Sequence, residues 1–282
     1  MIILKTAAAF KDCVGKRENF GQSSGFVPTM GALHTGHLSL IAESKNQNRY
    51  TVASIFVNPT QFNVASDFQK YPVTIAEDIK KLEAAGCDLL FLPTVNEIYP
   101  DGTDQLERYD LGDLELRLEG FYRPGHFQGV CQVVYRLLKM VEPANLYLGQ
   151  KDFQQCMVIK KMISLKGLPV KLHTAPTCRE ETGLAMSSRN VRLSEAERKT
   201  AIGIFDQLQM IKAKAGEISP VELKELAVSN LINAGFSKVD YVEIASPLNL
   251  DPITKWEPSQ EAVALVAAWL GEVRLIDNMM LA

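Results

Sequence analysis

This sequence has no long apolar run, little net charge and no closely spaced pair of cysteines. No uninterrupted apolar stretch reaches the roughly 20 residues that a membrane-spanning helix requires, so a membrane protein is not expected. The segment Met1–Lys5 lacks a basic region followed by a signal-length apolar run, which makes the cytoplasm the predicted location. The formal net charge is only −3, which argues against a broad electrostatic interaction with nucleic acid.

Cysteine is also used sparingly. The chain has five cysteines, scattered and without a Cys-x-x-Cys pair, so reduced and mostly buried thiols are expected rather than disulfides or a metal site. The carboxylate pairs Asp12/Glu18 and Glu180/Glu181 have no metal-ligand spacing either. We therefore predict no metal ion held by protein side chains alone.

What the sequence does contain is typical of a globular protein with one large domain or two ordinary ones. Its 282 residues are 46% apolar and 22% charged. Up to about residue 176, apolar runs alternate with helical patterns, which indicates an α/β domain with a doubly wound parallel sheet. The predicted strands are Ile2–Leu4, Gly25–Val27, Tyr50–Val57, Cys87–Pro93, Asn145–Leu148 and Val170–Thr174. The predicted helices are Thr6–Arg17, one starting near His37, Thr74–Ala85, Gly129–Glu142 and Asp152–Lys166.

The pattern changes after about Pro176. The remainder predicts two helices and three strands, which form a smaller α+β unit: Ser194–Ala215, Pro220–Ala234, Val239–Ala245, Ala262–Leu270 and Val273–Asp277. We therefore expect one domain over residues 1–176 and a second over residues 177–282.

The most informative run is PTMGALHTGH, residues 28–37, which holds two of the four histidines of the chain. It lies between a predicted strand and a helix whose N–H groups and positive dipole end favour an anion. Gly31 and Gly36 allow close approach of the backbone, and His34 and His37 can each donate to phosphate oxygens. The run indicates a site for ATP phosphates; the alternative is a surface turn that holds two histidines by chance.

A second polar run, LAMSSRN, covers Leu184–Asn190 at the predicted domain junction. Its two hydroxyls and the guanidinium of Arg189 suit an anion clamp, although an ordinary polar loop is the alternative. Together with the histidine turn, the run favours a site that holds a triphosphate from two sides for adenylyl transfer.

A third run, LGQKDFQQ, follows the strand that is predicted to end near Leu148. Gly149 allows close approach of the backbone, and Lys151 can bring a charge to a phosphate. Asp152 can accept hydrogen bonds from ribose hydroxyls. The alternative is a capping aspartate beside a solvated lysine.

Other polar residues have more ambiguous roles. Gln61, in VNPTQF, offers both a donor and an acceptor to a hydroxy acid, unless it is an exposed turn residue. The loop Arg123–Phe127 is expected to have a structural or gating role rather than a catalytic one. His173, within an apolar strand, is expected to be a hydrogen-bonded core histidine.

Five runs together resemble the pantothenate synthetase (pantoate–β-alanine ligase) family of the HxGH nucleotidyltransferase superfamily. They are PTMGALHTGHLSLI (28–41), SIFVNPTQF (54–62), RPGHFQGV (123–130), LGQKDFQQ (148–155) and CREETGLAMSSRN (178–190). The runs occur in the order of the family, and the resemblance covers essentially the whole chain. It implies a Rossmann-like nucleotide-binding domain, a smaller C-terminal lid domain and usually a homodimer.

The resemblance also implies a reaction. ATP and pantoate form pantoyl adenylate and pyrophosphate, and β-alanine then displaces AMP to give pantothenate. ATP is a substrate, and Mg²⁺ is expected to be bound mainly through its phosphates. No nucleic-acid or membrane partner is implied.

Single residues receive roles from the same resemblance. His34, His37 and Lys151 are the expected catalytic residues. Gln61 and Gln155 are expected to bind pantoate, with Gln61 also near the incoming β-alanine. The expected ATP-binding residues are Met30, Gly31, Ala32, Leu33, His34, Thr35, Gly36, His37, Gly149, Gln150, Lys151, Asp152, Cys178, Met186, Ser187, Ser188 and Arg189.

Three positions depart from the usual family pattern. Gln150 stands where glutamate is frequent, and Cys178 stands where an aliphatic residue is usual. If position 178 contacts adenine through its backbone, that change should be tolerated. Gln128 replaces a frequent arginine, which weakens a phosphate role for the Arg123–Phe127 loop.

Two other functions remain open at this point. One is a nucleotidyltransferase that acts on a phosphate-bearing acceptor, and the other is a nucleotide sensor without catalysis. A transfer-RNA ligase is disfavoured, because the chain is acidic and carries no anticodon-reading extension.

Overall fold

Two compact units make up the computed structural model, which describes residues 1–281. The first unit comprises Met1–Gln150 and Gln154–Pro176, and the second comprises Lys151–Phe153 and the chain from Thr177 onward. The lid role of the second unit and a boundary after residue 176 stay predictions.

The first unit contains a six-stranded sheet in which all paired strands are parallel. Its strands are β1 (Ile2–Leu4), β2 (Ser24–Thr29), β3 (Tyr50–Ile55), β4 (Leu89–Phe91), β5 (Asn145–Gly149) and β6 (Lys171–Ala175). They lie in the order β1-β4-β3-β2-β5-β6. Strands such as β3 are apolar nearly throughout because both faces of a parallel sheet are covered. The predicted doubly wound α/β sheet is confirmed.

Helices connect these strands. The longer ones are α1 (Ala7–Gly15), α2 (Thr35–Gln47), α4 (Ile75–Ala84), α7 (His126–Val141) and α8 (Phe153–Leu165). The short helices α3 (Ala65–Gln69), α5 (Val95–Ile98) and α6 (Glu119–Tyr122) were not predicted from the sequence. A helix of one turn is too short to show an apolar periodicity.

The second unit packs helices on a small antiparallel sheet. Its helices are α9 (Glu195–Ala201), α10 (Gly203–Lys214) and α11 (Pro220–Asn233), and its strands are β7 (Lys238–Ala245), β8 (Val263–Leu270) and β9 (Val273–Met280). The strand order is β7-β8-β9. The predicted hairpin through Gly271-Glu272 is confirmed, because Leu270 pairs with Val273 across it.

Two of the predicted helices were placed wrongly. The single helix predicted over Ser194–Ala215 is interrupted between α9 and α10 at Ile202, directly before Gly203, a residue of low helix propensity. The second unit therefore has more than the two predicted helices. Helix α7 begins at His126 rather than at Gly129, after the left-handed residue Gly125.

Each unit has its own hydrophobic core. In the first unit the cores lie on the sheet and include Phe26 and Leu146, and in the second they include Leu208 and Val266. All five cysteines are free of disulfides, and Cys87, Cys131 and Cys156 are buried, as predicted. Burial raises the pKa of Cys87 to about 11 and that of Cys131 to about 12, so both thiols are protonated near neutral pH.

Candidate active site

The histidine run forms the turn between β2 and α2. Gly31 has a φ of +85° and Ala32 a φ of +48°, so the backbone passes through two left-handed residues before α2 begins at Thr35. His34 is the N-cap residue of α2 and has extended backbone angles. The first N–H groups of an α-helix have no partners within the helix, and its dipole makes this end positive. The turn therefore presents a helix end that suits an anion.

The rings of His34 and His37 lie against each other at this helix end. Their centroids are 4.0 Å apart, and their planes are tilted by 39°. The backbone N–H of His34 donates to Nδ1 of His37 over 3.3 Å. Because Nδ1 acts as an acceptor, neutral His37 carries its proton on Nε2. His37 can therefore offer an N–H donor to a phosphate oxygen.

Strands β2 and β5 are paired over only a short part of their length. They pair only at Gly25–Asn145 and Phe26–Leu146, whereas β2 pairs with β3 along its whole length. The chain order also reverses here, with β3 and β4 on one side of β2 and with β5 and β6 on the other. In open parallel sheets, ligands bind beyond the carboxyl ends of the strands at such a switch point. The histidine turn follows β2 and Gly149 ends β5, so both lie at this switch point of the first unit.

Gln61 lies in a short 3₁₀ helix, Pro59–Gln61, after β3. Its side-chain Oε1 accepts from Nδ2 of Asn58 over 3.2 Å, and its Nε2 donates to Sδ of Met30 over 3.0 Å. The structure thus brings together Gln61 and Met30, two of the predicted site residues. An exposed turn residue, the alternative for Gln61, is wrong because the residue is only 9% exposed.

The segment that carries Gln61 is supported by residues to which the sequence assigned no such role. Asn58 is buried, donates also to the carbonyl oxygen of Gly129 over 3.1 Å and accepts from the hydroxyl of Tyr99 over 2.8 Å. Nδ1 of His126 donates to the carbonyl oxygen of Gln61 over 2.7 Å. A Cβ on Gly129 would lie 2.4 Å from a backbone oxygen of this segment, so α7 approaches closely only because the residue is glycine. The Asn-Pro pair at the start of the 3₁₀ helix was the available sequence signal, since asparagine before proline is typical of a capped helix start.

The Arg123–Phe127 loop makes contacts within the protein. NH1 of Arg123 lies 3.1 Å from Nε2 of His126. Gln128 hydrogen-bonds both backbone polar groups of Tyr109, each over 2.9 Å. These contacts show a structural part for the loop and for Gln128, and the gating alternative for the loop stays a prediction.

The run after β5 continues as a 3₁₀ helix, Gln150–Asp152, which leads into α8. Nζ of Lys151 lies 3.3 Å from Oδ1 of Asp152. Nδ2 of Asn278, in β9, donates to the carbonyl oxygen of Lys151 over 2.9 Å, a contact within the second unit. Gln155 lies in the first turn of α8, is half-buried and forms no side-chain hydrogen bond within the described residues.

The remaining predicted residues, Cys178 and Met186–Arg189, lie along one segment of the second unit. The N–H of Met186 donates to the carbonyl oxygen of Cys178 over 3.0 Å, and the sulfur atoms of the two residues are 3.7 Å apart. Ser187 caps a 3₁₀ helix that begins at Ser188, and its Oγ accepts the N–H of Arg189 over 3.2 Å. The structure therefore brings Cys178 beside Met186, and Ser187 beside Arg189.

A buried ion pair supports this segment. The guanidinium of Arg179 donates to both carboxylate oxygens of Asp277, over 2.5 and 3.0 Å, and to the carbonyl oxygen of Gly183 over 3.1 Å. Burial raises the pKa of Asp277 from its ordinary value, and Arg179 opposes that rise. The bidentate contact holds the segment around Arg179, which pairs with Ala185, the residue before Met186, through an isolated β-bridge.

Neither a metal cluster nor a membrane span is found in the part of the chain that the structure describes. Among residues 1–281, no three His, Cys, Asp or Glu side chains gather as metal ligands. None of the described helices is both long and apolar enough to cross a membrane.

Comparisons with known proteins agree on one family. The family model for pantoate-beta-alanine ligase matches residues 2–280. A pantothenate synthetase from Dehalococcoides mccartyi is 47% identical over 92% of this chain and 96% of its own length, and one from Porphyromonas gingivalis is 43% identical over 99% of both.

Solved structures give the same result. A pantothenate synthetase from Thermus thermophilus superposes with a TM-score of 0.92 at 40% identity, covering 100% of this chain and 99% of that one. A pantoate-beta-alanine ligase from Francisella tularensis, solved in complex with beta-gamma ATP and beta-alanine, superposes with a TM-score of 0.84 at 36% identity, covering 99% and 97%.

Proposed function

This chain belongs to the pantoate–β-alanine ligase family, and on that premise we propose that it joins (R)-pantoate to β-alanine at the expense of ATP, through a pantoyl-adenylate intermediate. The proposal is carried by the histidine turn, in which a helix end and a tautomer of His37 that donates from Nε2 lie at the switch point of the sheet. The complex of the Francisella relative with beta-gamma ATP and beta-alanine supports the choice of substrates.

In the first step, a carboxylate oxygen of pantoate attacks the α-phosphorus of ATP in line with the leaving group. The bond from this phosphorus to the bridging oxygen breaks, and pyrophosphate leaves. The carboxylate is already ionised, so this step needs no base. His34, His37 and Lys151 stabilise the charge that develops on the phosphate oxygens, while Gln61 and Gln155 hold pantoate.

In the second step, the neutral amine of β-alanine attacks the acyl carbon of the adenylate. The bond from carbon to the AMP oxygen breaks, AMP leaves, and the amine passes its proton to water. His37 is poorly suited to accept that proton, because its Nδ1 lone pair already accepts the His34 N–H and its Nε2 is protonated. Positioning, rather than a dedicated base, therefore accounts for most of the rate of this step.

The other predicted residues complete the nucleotide contacts. We assign backbone contacts to residues 30–37 and to Gly149 and Gln150, and ribose contacts to Asp152. We assign adenine contacts to Cys178 and phosphate contacts to Met186–Arg189. Mg²⁺ would bind mainly to the phosphates and water, as this ion commonly does, and would neutralise charge on the leaving group.

One assay tests the proposal. Pyrophosphate and AMP release is measured with the purified protein and Mg–ATP, first alone, then with pantoate, and then with pantoate and β-alanine. We expect pyrophosphate only when pantoate is present, and AMP release when β-alanine is added. Release driven by a phosphate-bearing acceptor instead would indicate a nucleotidyltransferase, and ATP binding without release with any acid would indicate a sensor.

The assembly and location of the protein are further parts of the proposal. The family resemblance supports a homodimer, and we further propose that the protein is cytoplasmic. Light scattering during size-exclusion chromatography tests the first point, and fractionation of cells that express the tagged protein tests the second.

A further inference from the structure

The histidine turn rests on a carboxylate from another helix, Asp78 of α4. Oδ2 of Asp78 accepts the N–H of Ala32, and Oδ1 accepts the N–H of Leu33, both over 2.8 Å. The hydroxyl of Thr74 donates to Oδ2 over 3.2 Å. The side chain is fully buried, at 0% exposure, and every residue in this group belongs to the first unit.

Three donors converge on the side chain of Asp78, and this requires a side chain that only accepts hydrogen bonds. A carboxylate offers about four lone-pair sites on two oxygens and brings no hydrogen of its own. The isosteric asparagine has one acceptor oxygen, and its NH₂ group would face a second donor. Replacing Asp78 by asparagine therefore leaves a buried N–H of the turn without an acceptor, which is unfavourable.

Helix α4 also holds the other side of the same peptide segment. Nζ of Lys81 donates to the carbonyl oxygen of Leu33 over 2.6 Å. Asp78 and Lys81 are three residues apart and therefore lie on one face of α4. Both backbone polar groups of Leu33 are thus bound to α4, and Leu33 directly precedes His34, the N-cap of α2.

The backbone of the turn needs such support. Ala32 has a φ of +48°, and a residue with a Cβ persists there only when the surrounding structure stabilises that conformation. A Cβ on Gly31 would lie 3.1 Å from Oδ2 of Asp78, so the turn packs directly on the carboxylate. The strained turn and its buried acceptor are therefore parts of one arrangement.

We propose that Asp78 is a positioning residue for the histidine turn: by accepting the N–H groups of Ala32 and Leu33, it holds His34 and His37 in the orientation that binds phosphate. This inference rests on the proposed function, because that function places ATP phosphates at the two histidines. Asp78 acts through the backbone of the turn and not on the substrate.

The test compares Asp78→Asn with Asp240→Asn in steady-state kinetics. Asp240 is a matched control, since it is also a buried carboxylate that accepts hydrogen bonds, from Trp269 over 3.0 Å and Arg274 over 2.7 Å, but it lies in the second unit. ATP is varied at saturating pantoate and β-alanine. We expect Asp78→Asn to lower kcat/KM for ATP by on the order of tenfold to a hundredfold, because small displacements of catalytic groups have effects of this size. The KM for pantoate should change less, and Asp240→Asn should lower the melting temperature without this kinetic loss.

Hydrogen exchange supplies a readout that does not depend on catalysis. Peptides that cover residues 28–37 should exchange faster in Asp78→Asn than in the wild type, and the same peptides should be unchanged in Asp240→Asn. The proposal would be overturned if folded Asp78→Asn kept both the wild-type exchange rate in that segment and the full kcat/KM. An equal kinetic loss in Asp78→Asn and Asp240→Asn would also overturn it.

Two further outcomes bear on the role of Asp78. If Asp78→Asn does not fold, Thr74→Val removes one donor to the carboxylate and should give a smaller change in the same direction; no change in either readout would overturn the proposal. If the wild type releases no pyrophosphate with pantoate, the proposed function fails on its own. Exchange at residues 28–37 then decides whether Asp78 holds the turn.

Discussion

The proton position on His37 determines what this side chain can do. Its Nδ1 accepts the N–H of His34, so the ring is held in one orientation and its Nε2–H is directed by that bond. A donor fixed in this way costs no reorganisation when charge develops on a phosphate oxygen. The histidine pair is therefore suited to electrostatic stabilisation.

Removing a phosphate donor should mainly slow adenylate formation. We expect His37→Ala and Lys151→Ala each to reduce the rate of pantoate-dependent pyrophosphate release by on the order of a hundredfold, as for other preorganised donors to a developing charge. Rapid-quench measurement of a single turnover checks this. His173→Ala serves as a control that removes a histidine bonded elsewhere, to Asn145. Near-normal rates in both folded variants would reject the roles assigned to His37 and Lys151.

The amide of Asn58 should affect pantoate through Gln61. Asn58→Ala removes the donor that holds Oε1 of Gln61, so Gln61 is free to turn away from the orientation shown here. We expect the KM for pantoate to rise by about fivefold, with a smaller change in the KM for ATP, because misorienting one polar contact costs on the order of 1 kcal/mol. Initial-rate kinetics with each substrate varied in turn measure the two KM values.

Gln132→Ala is the matched control for Asn58→Ala. It removes a buried amide that donates to the carbonyl oxygen of Glu107, outside the Gln61 segment. Its KM for pantoate should remain that of the wild type. Equal effects of the two variants would mean that Gln61 does not depend on Asn58.

At the scale of elements, the buried strands of the parallel sheet were the most predictable feature. The strands β3, β4 and β5 follow from apolar runs, which reflect burial on both faces. Helix ends were less predictable, because they depend on contacts between distant residues. The early start of α7 at His126 is an example, since that residue bonds the backbone of Gln61.

In the candidate site, too, residues with local signals were predictable and residues that act through distant contacts were not. The sequence motifs pointed to His34, His37 and Gln61, whose chemistry is local. Asp78 went unrecognised because its significance depends on a contact across 45 residues of sequence, with Leu33. Nothing in the helical pattern around Asp78 distinguishes it from an ordinary acidic residue in the first turn of a helix.

The pairing of β5 with β6 should become less stable in mild acid because of His173. Its ring stacks on Tyr147 with centroids 4.8 Å apart, and its Nε2 hydrogen-bonds Oδ1 of Asn145 over 2.8 Å. The predicted hydrogen bond is confirmed, but the predicted core position is wrong, because His173 is only half-buried in the edge strand β6. Burial, and then the nearby charge of Lys171, lowers the pKa of His173 below its ordinary value of 6.5.

The sign of the pH effect follows from that lowered pKa. The folded state takes up the proton less readily than the unfolded state, so the stabilising contribution is complete above pH 6.5 and declines as the pH falls through the lower folded pKa. We expect urea midpoints measured by far-UV circular dichroism to fall further between pH 7.5 and 5.5 in the wild type than in His173→Gln. An equal fall in both proteins would contradict the prediction.

At the scale of the whole molecule, stability is divided between separate cores. Leu146 lies in the core of the first unit and Leu208 in that of the second, and both are fully buried. Both tryptophans of the chain, Trp256 and Trp269, belong to the second unit. Tryptophan fluorescence therefore reports on the second unit alone, whereas far-UV circular dichroism reports on both.

This division predicts that the two probes respond differently to core substitutions. Truncating a buried leucine lowers the free energy of unfolding by about 2–5 kcal/mol. Leu208→Ala should therefore shift the urea midpoint measured by fluorescence strongly, and it should shift only part of the transition measured by circular dichroism. Leu146→Ala is the matched substitution and should shift the dichroism transition while the fluorescence midpoint stays near that of the wild type. Non-coincident transitions are the mark of units that unfold separately. If both variants instead shift both probes by the same amount, the chain unfolds as one cooperative unit, because the loss of either core then removes the stability of the whole.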